Sequence, residues 1–183
     1  MKIPTSVLNM KTPKAILITP TGYTYNPGIR SIKSTMSNKR YHDFSIYMAD
    51  MLATTFYDAI DTQRYKGTKW PPLSISYLTW KGRHHLSLNI WEATGCLKNS
   101  IKIFKKGDYI AVGFKQSDTY PKTLAKVNTI ARYMEYGTNK RVGAMPPRPL
   151  FRPITEYMRK HVSDYYKRYQ KELTKSGKNY LYL

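Results

Sequence analysis

Between Asp43 and Asp61 the chain reads DFSIYMADMLATTFYDAID, and Phe44, Met48, Met51, Leu52, Thr55, Phe56 and Ala59 recur at three- and four-residue steps. That spacing is the stripe of an amphipathic helix, with the methionines as core filling. A turn region RYKGTKWPP follows, and Pro71-Pro72 then opens LSISYLTWKGR, Leu73 to Arg83, read as a short helix, although LSISYL also fits a strand. The pattern changes period at Ile101. Ile101 and Ile103 flank Lys102, Lys106-Gly107-Asp108 marks a turn, and Tyr109 to Phe114 alternates again, which predicts a β-hairpin. Gly95 before it permits a sharp turn, and the neighbouring Cys96 reads as a small buried apolar residue. Helical spacing returns from Lys122 to Glu135 through Leu124, Val127, Ile130, Ala131 and Met134, with Pro121 ahead and Gly137 just beyond. A last helix is expected from about Pro153 to Lys175, striped by Ile154, Met158, His161 or Val162, Tyr165 and Tyr169.

Outside these elements the chain is basic and punctuated. Residues 1–40 carry seven Lys+Arg, no acid, and prolines at 4, 13, 20 and 27, which reads as an extended arm. Its ILITPTGYTYNPG fits a short strand and turn, ordered by contact with a partner or a neighbouring subunit. Residues 41–176 form the domain, and residues 177–183 a C-terminal tail whose apolar end can dock on a neighbour.

Over all 183 residues, 31 Lys+Arg against 11 Asp+Glu give a formal charge of +20. A charge of this size implies nucleic acid or a strongly acidic protein surface as partner. The 41% hydrophobic content and 17 tyrosines argue for a folded core and for contact surfaces with an apolar body and polar tip. The single cysteine rules out an intramolecular disulfide and suits a reducing cytosol. The apolar run Ala15 to Ile18 is too short for a signal sequence, and no stretch approaches a membrane span.

Candidate chemistry is sparse. Asp58 and Asp61 are the one notable carboxylate pair and read as a solvated helix turn. His84 and His85 are adjacent and lack the i, i+4 spacing of a helical zinc pair, and there is no Walker A or GxGxxG sequence. No cofactor, metal or catalytic residue is expected.

The segment YMEYGTNKRVGAMPPRPLF, Tyr133 to Phe151, ends a helix at a glycine, crosses a basic loop with paired prolines, and restarts as a helix. With WPPLSISYLTWKGR, LNIWEATGCLKNSI and the hairpin end YIAVGF, it forms an ordered set of four segments. This set resembles the virion morphogenesis or tail-completion proteins of tailed bacteriophages, at the head–tail junction, over about residues 44–165. The resemblance implies an α+β fold, a small antiparallel β-sheet packed with α-helices, here with the extended basic N-terminal arm added. It implies a structural neck protein that forms a homo-oligomeric ring and joins or finishes the tail around the DNA channel, with no catalytic residues. Its partners would be neighbouring neck, head-closure and tail-tube or tail-terminator proteins. Its place would be the virion, and the host cytoplasm during assembly.

The loop Thr138 to Pro149 would project as an interface through Lys140, Arg141, Val142 and Met145, with Arg148 and Phe151 fixing its base. Lys11, Lys14, Arg30, Lys33, Lys39 and Arg40 are the candidate contacts to channel DNA or to a neighbour through the arm. Tyr136, the long basic arm and the tyrosine load depart from the family pattern. The alternative is a basic nucleic-acid-binding protein that contacts phosphates without sequence specificity. A nuclease ranks behind both, for want of paired carboxylates.

Overall fold

In the computed structural model, which describes residues 3–8, 16–18, 23–25, 38–66, 68–121, 124–139 and 144–176, the first amphipathic stripe becomes a 25-residue helix, Asn38–Thr62. It follows a four-residue helix, Thr5–Leu8 (α1), and is therefore α2. Phe44, Met48, Leu52, Phe56 and Ile60, each four residues apart, are all buried, so one face of α2 runs the length of the core. The ladder Arg64–Tyr65 (β3) with Thr68–Lys69 (β4) reverses the chain after it.

The expected hairpin is Lys102–Lys106 (β5) and Tyr109–Gly113 (β6), paired from Lys102↔Gly113 to Lys106↔Tyr109. Gly107 takes φ 58° in the two-residue turn, a conformation that costs glycine little. Ile103, Ile110 and Val112 are buried, while Lys102, Lys105 and Lys106 face solvent. The fold is α+β, with helices against a small sheet. Two pieces of the basic segment extend that sheet: Ile16–Ile18 (β1) and Tyr23–Tyr25 (β2) pair antiparallel, and β1 runs parallel to β6 through Ile16↔Ile110 and Ile18↔Val112. The strand order is β2-β1-β6-β5. These pieces of residues 1–40 therefore take their partner from this chain's own hairpin. Of the arm's candidate contacts, Lys11, Lys14, Arg30 and Lys33 lie outside the described residues.

Pro71-Pro72 does precede a helix, Ile75–Arg83 (α3), whose first turn is capped by Ser74 Oγ accepting from Tyr77 N. Gly95, at φ 74°, opens the short helix Cys96–Asn99 (α4), and Cys96 is half-buried at the edge of the core. Two helix boundaries differ from expectation. The helix read from Lys122 begins only at Val127 (α5, Val127–Tyr136), whose N–H donates back to Asp118 O at 3.0 Å. Tyr120 N donates to Ala125 O and Leu124 N to Tyr120 O, both at 2.9 Å, with Leu124 at φ 53° and 76% exposed. The last helix is two, Phe151–Lys160 (α6) and Val162–Ser176 (α7). At the break, His161 Nδ1 lies 2.9 Å from Tyr157 O and its ring stacks on Tyr157 at 4.0 Å. His161 O then accepts from Asp164 N and Tyr165 N to start α7.

Aromatic rings join these helices to α2. Phe56 meets Phe151 at 4.6 Å, while Tyr169 sits 5.4 Å from Phe44 and 5.3 Å from Tyr47. Phe151 also touches Trp91 and Phe114 at 5.9 and 5.5 Å, so it is the hub between the sheet, α2 and the loop region.

Candidate interaction site at the glycine–proline loop

Gly137 ends α5 at φ 74° and ψ −174°, a backbone region essentially reserved for glycine. A Cβ there would lie 2.6 Å from Met145 O, so the returning strand of the loop passes where a side chain would be. Thr138 fastens that return on both sides: its N–H donates to Met145 O and its Oγ1 accepts from Met145 N, each at 3.0 Å. Lys140, Arg141 and Val142, the expected tip, lie outside the described residues. Met145 is half-buried beside the turn.

The base of the loop is clamped by side chains that reach backbone atoms. Arg148 is 3% exposed and donates through Nε to Pro71 O at 2.8 Å and through a terminal nitrogen to Pro72 O at 2.9 Å. Trp70 Nε1 donates to Pro149 O at 2.8 Å and Trp91 Nε1 to Arg148 O at 3.1 Å. The WPP segment, the LNIWEATGCL segment and the PPRPLF ending, far apart in sequence, thus meet in one junction, and β6 contributes its end through Phe114 packed on Phe151. Arg148 and Phe151 are both buried, so they hold the base of the loop and present little surface of their own.

Glu135 completes the junction from α5. It is 2% exposed, and its carboxylate accepts from the N–H groups of Leu150, Phe151 and Arg152 at 2.7, 3.0 and 2.9 Å. Leu150, the residue at the N-cap of α6, has no side-chain cap bond of its own, so Glu135 serves the free N–H groups and the positive end of the helix dipole. Burial raises its carboxyl above the ordinary range, and the three backbone donors pull the other way.

Beside the junction lies an open cleft of about 890 Å³. Pro72, Tyr77, Trp91, Tyr120, Met134 and Met145 make much of its wall, and Ile75 and Tyr133, 83% and 50% exposed, stand on its rim. Lys81 and Arg148 also line it although both are buried. Lys81 Nζ donates to Asn89 O at 2.7 Å and Glu92 O at 3.4 Å, holding the turn that carries Trp91. Burial lowers the pKa of Lys81, opposed by nearby Glu92, and burial lowers that of Arg148 as well.

Trp70, Trp91, Lys81 and Glu135 were not among the residues singled out by sequence. Glu135 had a signal: it continues the buried Val127–Ala131 row of α5 at the same four-residue step. The tryptophans lay within the segments that carry the family resemblance, but nothing local marks their backbone partners.

Elsewhere, Lys39 and Arg40 are exposed at the start of α2. Asp58 is exposed, and Asp61 is paired with Lys98, which also lies 3.7 Å from Glu92. His84 Nδ1 lies 2.8 Å from Trp80 O. Among the described residues no group of three His, Cys, Asp or Glu is placed to hold a metal ion, and no helix is long and apolar enough to cross a membrane. Comparison of the chain with protein-family models, with curated proteins and with solved structures finds no match.

Proposed function

We propose that this chain is a structural neck or tail-completion protein of a tailed bacteriophage, assembling as a homo-oligomeric ring at the head–tail junction. The observation that carries the reading is the junction itself. The ordered segments that resemble the family are held together by Arg148, Trp70 and Trp91, and they brace a loop beside an apolar cleft. Investing buried donors in the base of a loop suits a part that must present it rigidly to a neighbour. The +20 charge suits a channel that screens DNA phosphates without reading bases, or a ring seated on an acidic neighbour. Rings follow where heterologous interfaces close by rotation.

One observation favours the nucleic-acid reading. On α3, Tyr77 stacks on Trp80 at 5.6 Å and Trp80 lies 4.6 Å from His84, an exposed aromatic row beside Arg83 and His85. The deciding experiment is the mass of the nuclease-treated protein in solution at low and high salt, alone and with phage neck or tail components. A discrete multimer, or a monomer that assembles only with those components, supports the ring. A persistent monomer whose DNA affinity falls steeply with salt refutes it.

A further inference from the structure

The cleft beside the loop has an apolar wall and a cationic floor. Lys81 is 1% exposed and Arg148 3%, and among the described residues neither has a carboxylate within salt-bridge distance; both donate to main-chain carbonyls. Tyr77 stands over the first of them, with Lys81 Nζ 5.7 Å from its ring centroid. Glu92 is the one acid among the lining residues. It is near enough to Lys81 to offset part of the burial effect, but its hydrogen bonds go elsewhere: one oxygen lies 3.7 Å from Lys98 Nζ and the other accepts from Asn89 Nδ2 at 3.2 Å. Carbonyl dipoles solvate a buried cation only in part, and an incoming anion would add the charge-assisted partner it lacks.

We infer that the cleft is a docking site for a segment of a partner protein that inserts an aspartate or glutamate side chain flanked by bulky apolar residues. The occupant follows from charge complementarity and access. The cations lie beneath an aromatic and aliphatic wall, so a small anion on an apolar stem reaches them. A nucleic-acid backbone, with its phosphates in a hydrated row, would find exposed lysines on the hairpin more readily. Apolar anchors in a pocket with a few convergent polar groups are the usual form of a specific peptide site. This inference does not depend on the neck reading.

The test uses the full chain and two probes, the blocked peptides acetyl-Leu-Phe-Glu-Leu-Phe-amide and its Gln counterpart, followed by fluorescence titration. The Glu peptide should bind at least tenfold more tightly than the Gln peptide. Lys81→Met should abolish that difference, whereas Lys102→Met, on the exposed face of β5, should preserve it. Ile75→Asp tests the rim without risk to the core, since Ile75 is 83% exposed and an acid suits the first turn of α3. It should weaken the Glu peptide about tenfold at an unchanged melting temperature. Equal binding of the two peptides, an unaltered preference in Lys81→Met, unaltered affinity in Ile75→Asp, or displacement of the Glu peptide by an oligothymidylate would each overturn the inference.

Discussion

Replacing Gly137 by alanine tests how tightly the loop is closed. At φ 74° and ψ −174°, a residue with a side chain is strained by about 1–3 kcal/mol. The new methyl would also sit 2.6 Å from Met145 O and 3.0 Å from Pro147 N. Both are main-chain atoms, so no change of rotamer relieves the contact and the 145–147 backbone must back away. That movement loosens the two Thr138–Met145 hydrogen bonds, each at 3.0 Å and each contributing about 1 kcal/mol. The sum is about 3–5 kcal/mol, or roughly 10 °C in melting temperature for a chain of this length. Gly82→Ala is the control: nothing lies within 4 Å of the added methyl in α3, so it should be neutral or stabilise by up to about 1 kcal/mol. Both are measured by urea unfolding followed by far-UV circular dichroism. A Gly137→Ala protein within about 0.5 kcal/mol of the parent would refute the strained, close-packed closure described above.

Glu135→Gln should cost about 1–3 kcal/mol, because the amide leaves one acceptor oxygen for three backbone donors and turns its own NH2 toward the α6 N–H groups. Its pH dependence has a definite sign: with the folded pKa raised, this group's stabilising contribution is complete below the ordinary 4.5 and is lost as pH rises through the folded value. Denaturation curves from pH 4 to 7 should show this slope in the parent and lack it in Glu135→Gln. Phe151→Ala removes the hub between Phe56, Trp91 and Phe114 and should destabilise by about 3–5 kcal/mol in the same assay. Trp91→Phe leaves the Arg148 carbonyl without its indole donor and should cost about 1–3 kcal/mol, whereas Trp80→Phe, at a site 46% exposed, should change stability little.

What could be read in advance followed the range of the interaction involved. α2 and the β5–β6 hairpin were legible because periodic burial on one element writes itself into consecutive residues. The start of α5 lies later than its spacing suggests because Leu124 keeps helical spacing while its backbone sits at φ 53°, outside the helical region, beside the Tyr120–Ala125 hydrogen bond. The break at His161 was hidden by an apolar stripe that continues across it in α7. The three residues of β1 could suggest a strand but not that its neighbour would be β6, because such a short run carries no mark of its register. At the loop, Gly137 and the prolines announced a constrained turn. The clamps did not announce themselves, since Trp70, Trp91, Lys81 and Arg148 spend their donors on carbonyls that every residue possesses.

That choice of partner has a consequence for how the chain can change. A side chain bonded to another side chain can drift in concert with it, each substitution compensated by the other. A side chain bonded to a main-chain carbonyl has no such counterpart, because no replacement at Asn89 removes its carbonyl and none at Pro149 restores a donor lost from Trp70. Tolerance at the junction is therefore one-sided: the donors are fixed individually, and the positions they hold are constrained by backbone path alone. Variation here should leave isolated invariant residues scattered among changeable ones, with no correlated pairs linking them.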